Sequence, residues 1–123
     1  METGATTVLV VEDDSSMRLL CRTNLELDGY RVLEAPTIPQ ARELLTSEQI
    51  GFVVLDVHVA GESGYDLIEA IRDQQGVPIA LLTGSAEVSP SDRERVDAVL
   101  SKPFDLPDLS DAVNRLTGAT ADR

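Results

Sequence analysis

A single cysteine, Cys21, stands among 123 residues, so no disulfide can form within the chain. None is required, because a domain of this length buries roughly two-thirds of its unfolded surface without a staple. Cationic residues are also scarce: 10 Lys and Arg face 22 Asp and Glu, a formal charge of −12. That balance disfavours direct contact with a nucleic-acid backbone or an anionic membrane. Long apolar runs are missing, and none approaches the ~20 residues of a membrane-spanning helix. The opening METGATT has no charged-then-apolar leader pattern. A soluble chain in the cytoplasm is the expectation, with Cys21, flanked by Leu20 and Arg22 in a helical pattern, a buried and reduced thiol.

Four short apolar runs are present: VLVVEDD at 8–14, FVVLD at 52–56, PIALLT at 78–83 and VLSKP at 99–103. Between them the apolar spacing changes from two to nearly four. Met17, Leu20, Cys21 and Leu25 share one side of a predicted helix over 15–27, opened by Asp14, Ser15 and Ser16 and closed by Asp28-Gly29. A weaker strand is expected over 30–35. A short helix to about residue 47 follows, with Thr37 as its cap and Pro39 tolerated in its first turn. Gly61 to Gly64 marks a loop, and Tyr65, Leu67, Ile68 and Ile71 restore helical spacing. Strand four runs over 79–82, Val99 and Leu100 make the last strand, and Leu106, Leu109, Val113 and Leu116 give a final helix its apolar face. Residues 84–97 carry only Val88 and Val96 as sizeable apolar side chains. Polar turns with few packing constraints are expected there, and helix 4 should be short or poorly formed.

Strands alternating with helices through short connections predict an α/β fold, a doubly wound five-stranded parallel sheet. Its organisation is expected as a disordered start over 1–6, one domain over 7–117, and a tail or the start of a linker over 118–123.

If the runs are parallel strands, the carboxylates of Asp13, Asp14 and Asp56, the hydroxyl of Thr83 and the ammonium of Lys102 gather at one carboxyl-end edge, where open α/β folds place their sites. Crowded carboxylates repel one another, and a hard divalent cation relieves this. Magnesium suits the oxygen ligands better than zinc does, since Cys21 lies inside a helix. Asp56 directly follows four apolar residues, a costly place for a carboxylate that is neither solvated, paired nor metal-bound. Lys102 and Thr83 suit the oxygens of a phosphoryl group.

With these residues in place, the chain resembles the receiver domain of bacterial response regulators over residues 7–117. The resemblance implies a flavodoxin-like strand order 2-1-3-4-5 and a phosphorylation-controlled signalling module. Asp56 would accept a phosphoryl group from a sensor histidine kinase or phosphotransfer protein. Asp14 and Asp56 would bind Mg2+ directly, Asp13 mostly through water, and His58 through its backbone carbonyl. Thr83 would move toward the phosphoryl group and Lys102 would bind it. Enzyme-like activity would be limited to transfer onto Asp56 and hydrolysis from it. Output would pass to an unidentified protein or a missing C-terminal domain, with a homodimer as one possible form.

Three departures from the family pattern stand out. Val59 and Ala60 replace a usual Met-Pro, which should leave that loop less rigid. Val99 occupies the switch position where a Phe or Tyr ring is common. The stretch from Thr83 to Lys102 is a few residues shorter than usual and mostly polar. A receiver-like binding module that signals without phosphorylation is the competing reading.

Overall fold

The computed structural model describes residues 6–84 and 88–118. Most of the expected disordered start and tail, together with residues 85–87, therefore lies outside the described residues. Thr6 and Gly118 lie within them: the Thr6 carbonyl accepts from the Arg31 amide at 3.0 Å, and Gly118, with φ of 76°, closes the last helix.

Five strands, β1 (Thr7–Val11), β2 (Arg31–Ala35), β3 (Phe52–Asp56), β4 (Ile79–Thr83) and β5 (Ala98–Ser101), form one parallel sheet. Their order is β2-β1-β3-β4-β5. This is the doubly wound 2-1-3-4-5 arrangement. The three central strands are buried at every residue, as covering on both faces demands.

Side chains alternate between two cores. Leu9, Val11, Val53, Leu55, Ile79 and Leu81 meet Ala41 and Leu45 of α2 (Ile38–Ser47) and Ile68 and Ile71 of α3 (Ile68–Gln74). Val8, Val10, Phe52, Val54, Ala80 and Leu82 meet Cys21 and Leu25 of α1 (Ser15–Leu27) and Leu109 and Val113 of α5 (Leu106–Thr117). Burial pushes the Cys21 thiol up to about 11, so it stays protonated at neutral pH. A polar seam fastens α1 to α5: Asn24 Nδ2 donates to Ser110 Oγ at 2.7 Å, and the Tyr30 hydroxyl bonds Asn114 Oδ1.

Helix α4 is a single turn, Pro90–Arg93, with Ser89 accepting from the Asp92 amide at 3.1 Å. Its neighbourhood is more tightly fastened than its composition implies. Arg72 Nε of α3 donates to the Arg95 carbonyl at 3.0 Å, Arg95 pairs with Asp92 at 3.3 Å, and Val96 is buried. These contacts replace the apolar face of a longer helix.

The loop carrying Val59 and Ala60 closes as a tight hairpin. His58–Val59 pairs antiparallel with Glu62–Ser63, and both residues at the tip have positive φ, Ala60 at 51° and Gly61 at 83°. That is the backbone of a type I′ turn, whose favoured sequence is Asn-Gly. An alanine held there costs roughly 1–2 kcal/mol. Ala60→Asn, which keeps a Cβ but tolerates this region, should therefore raise stability by about 0.5–1 kcal/mol in urea unfolding; a neutral or destabilising effect would mean that the turn is not held in this conformation.

Candidate functional site

The carboxyl ends of the strands are brought level by register. Val11 pairs with Leu55 across β1 and β3, and Asp56 with Leu82 across β3 and β4. The residue after Val11 is thus the neighbour of Asp56, and that residue is Glu12. Both are buried, with 1% and 5% of their surface exposed. Thr83, also buried, ends β4 beside Ser101 of β5, and its carbonyl accepts the Lys102 amide at 2.7 Å. The Lys102-Pro103 peptide is cis.

Lys102 Nζ reaches between the two buried acids, 2.8 Å from Asp56 Oδ2 and 2.9 Å from Glu12 Oε1. Burial alone would lower the lysine's pKa, but its hydrogen bonds to Asp56 and Glu12 more than offset this, and the net shift is upward. The ammonium is therefore fixed in its charged form. Glu12 moves up to about 7: burial is the main cause and the Asp56 carboxylate adds to it, against the Lys102 hydrogen bond and the Asp14 amide. Asp13 shifts downward. Partial burial opposes that shift, but the backbone amide of Ala60 and the Glu12 side chain outweigh it.

Carboxylate oxygens of Glu12, Asp13 and Asp56 all lie within 4.8 Å of one another. An all-oxygen donor set of this kind fits a hard divalent cation such as magnesium. Asp14 does not join them. Its Oδ1 accepts from the Ser16 amide at 2.9 Å and from the Met17 amide at 3.1 Å, the N-cap of α1. The structure thus pairs Glu12 with Asp13 where the sequence reading pairs Asp13 with Asp14, because Glu12 directly follows β1 level with Asp56 while Asp14 is taken up as the N-cap of α1. Glu12 was legible by counting: four apolar residues precede it after Thr7, as four precede Asp56.

The other expected residues are placed as follows. His58 follows the site on β3's trailing loop; its amide points to Asp56 Oδ1 at 3.4 Å, and the residue itself is exposed. Val99 is half-buried in β5, paired with Leu81. Gly64 reads in the sequence only as the end of a loop, yet a Cβ there would meet the Asp56 carbonyl oxygen at 1.9 Å. Its amide bonds the Val57 carbonyl at 2.6 Å, so the hairpin is drawn onto the backbone of Asp56 itself.

Comparison with known proteins agrees with this geometry. A family model described as the response regulator receiver domain matches residues 8–114. The KDP operon transcriptional regulatory protein KdpE of Escherichia coli (strain K12) is 33% identical over 107 residues, 85% of this chain and 48% of KdpE. The chain spans about half the length of the curated relatives it matches first. The structure of response regulator TrrA from Thermotoga maritima, in complex with Mg2+ and BeF, is similar at TM-score 0.82 and 27% identity, covering 90% of this chain and 98% of that one. A response regulator from Burkholderia pseudomallei with a phosphorylated aspartic acid, calcium ion and citrate is similar at TM-score 0.79 and 25% identity, covering 95% and 71%.

Burial of Glu12 beside Asp56 predicts a pH signature in chelated protein. Its folded-state value, about 7, lies above the ordinary 4.5, so the folded protein holds this proton more tightly than the unfolded chain does. The resulting stability is complete below the ordinary value and is lost as pH rises through the folded one. Glu12→Gln does not titrate. Thermal melts in chelator at about pH 5 and about pH 8 should show the variant gaining on the parent at the higher pH; a variant-minus-parent difference that stays constant or falls between the two would contradict the assigned burial and crowding.

Proposed function

Because the chain belongs to the response regulator receiver domain family, the premise being two-component signalling, we propose that it is a phosphorylation-controlled module in which Asp56 is the phosphoacceptor. The observation that carries this reading is the Lys102 ammonium held 2.8 Å from Asp56 Oδ2 inside a cluster of three carboxylates. The phosphorylated aspartic acid of the Burkholderia relative supports it.

Asp13 and Asp56 would hold magnesium, with Glu12 beside them and the His58 carbonyl as a further ligand. When bound, the ion supplies positive charge that screens the carboxylates and the incoming phosphoryl oxygens. The chain's own residues do the rest. A carboxylate oxygen of Asp56 attacks phosphorus as the donor's P–N bond breaks, and the bonding pair leaves with the imidazole nitrogen of the histidine donor. An acyl phosphate forms on Asp56. Lys102 neutralises charge on the phosphoryl oxygens, and Thr83, one strand over, donates to another of them. Hydrolysis returns the group to water by breaking the phosphorus–oxygen bond to Asp56. Position and electrostatics are the protein's whole contribution.

The donor's approach is favoured by α1, which begins at the site edge and exposes Leu19, Leu20 and Leu27 at 59%, 50% and 83%. A sensor histidine kinase or phosphotransfer protein docking there would cover these side chains. Output passes to a separate protein or to a C-terminal domain of the kind implied by relatives about twice as long. Val99 moves little surface compared with a ring, so the change at Thr83 reaches the short α4 and its fastenings to α3. We place the module in the cytoplasm; no helix among the described residues is long and apolar enough to cross a membrane.

Incubation with magnesium and acetyl phosphate, followed by intact-mass measurement, should give one phosphate adduct on the parent and none on Asp56→Asn. An adduct undiminished in that variant would overturn the assignment. A parent unreactive toward acetyl phosphate and toward histidine kinases would favour the receiver-like module that binds partners without phosphorylation.

A further inference from the structure

Asp13 is the exposed member of the acidic cluster, while Glu12 and Asp56 are walled in by the sheet. Its direction must come from the backbone that carries it. The two peptide planes flanking Asp13 end in the carbonyls of Glu12 and Asp13. Both accept from one nitrogen, Arg18 Nη1, at 2.9 Å and 3.4 Å. Arg18 lies one turn into α1, with its own amide bonded to the Asp14 carbonyl at 2.9 Å. Its guanidinium is held in turn: Nε donates to Glu34 Oε1 at 2.9 Å, and the other oxygen of Glu34 takes Arg22 Nη1 at 2.8 Å. Glu34 is itself fixed in β2, opposite Val10 of β1.

We propose that Arg18 is a positioning residue for the cation site, a rigid fork from α1 and β2 that sets both peptide planes around Asp13 and so aims its carboxylate at Glu12 and Asp56. This rests on the reading of those three acids as the magnesium site. The Arg18 and Glu34 pair is partly buried, and its role here is geometric: it holds the guanidinium that bonds the two carbonyls. Planarity is essential: a lysine carries the charge but cannot bond a carboxylate and reach these carbonyls in fixed geometry.

The charge of Arg18 and its positioning act in opposite directions. A guanidinium near a cation site repels the cation, so on charge alone Arg18→Met would bind magnesium more tightly and Arg18→Lys would match the parent. Positioning requires both variants to bind more weakly. Calorimetric titration of magnesium chloride into the parent, Arg18→Met and Arg18→Lys, each checked by thermal melting, reads this sign directly. Both variants should lose about tenfold in affinity, the scale of residues that orient metal ligands. At saturating magnesium, acetyl-phosphate labelling of Asp56 should return to the parent's rate, since the reacting groups are intact. Tighter or unchanged binding by Arg18→Met, or parent-like binding by Arg18→Lys, would overturn the proposal while leaving the cation site standing. A parent that binds no magnesium would remove the cation reading itself.

Discussion

One ammonium group holds this sheet edge together. Lys102 sits between Glu12 and Asp56, two carboxylates that the register of β1 and β3 forces side by side under nearly complete burial. Two like charges 4 Å apart repel by about 4 kcal/mol at the effective dielectric of a protein surface. Removing one partner of a buried pair costs ~3–5 kcal/mol. Lys102 offsets the repulsion, and it reaches both acids because β5 ends beside β4, with its amide on the Thr83 carbonyl. Glu12 still shifts upward, chiefly because it is buried and in smaller part because Asp56 lies beside it. A site with one cation for three acids is poised to take up another.

Other local features follow from placing that cluster on a strand edge. The chain after Asp56 must fold back sharply to leave the acid accessible, which the Ala60-Gly61 turn and the close approach of Gly64 accomplish. The chain after Glu12 must start a helix at once, and Asp14 serves as its cap. Adjacent acids in the sequence thus do unlike work: Asp13 faces the cluster while Asp14 satisfies amides of α1. Arg18 closes the same loop from behind.

The strands were legible because each central one is a continuous apolar run, and α1 because its capping residues and the Cys21 and Leu25 spacing agree: 15–27 is both the expected and the observed span, although Leu20, expected on the same side, is exposed. The short α4 was legible for the opposite reason, a stretch too polar to cover a sheet. Composition did not reveal what holds that stretch down, since Arg72 and Arg95 meet only through the tertiary fold. Among site residues, Asp56, Thr83 and Lys102 stand at strand ends in the sequence and in space. Glu12 also ends an apolar run, but the adjacent Asp13-Asp14 pair offers the same chemistry one residue on, and only the register separates them. Gly64 and Arg18 carry no local pattern that marks them; their meaning is a close approach and a hydrogen bond visible only in three dimensions.

The central claim is that Glu12, Asp13 and Asp56, and not Asp14, form the pocket in which the single Lys102 ammonium faces three carboxylates. Anomalous diffraction from crystals soaked in manganese, a magnesium surrogate with its own scattering signature, tests it most directly. The account predicts one strong peak in contact with the carboxylates of Asp13 and Asp56, with Glu12 facing it and Asp14 still capping α1. A peak coordinated by Asp14, or no peak at the strand edge at saturating manganese, would contradict it.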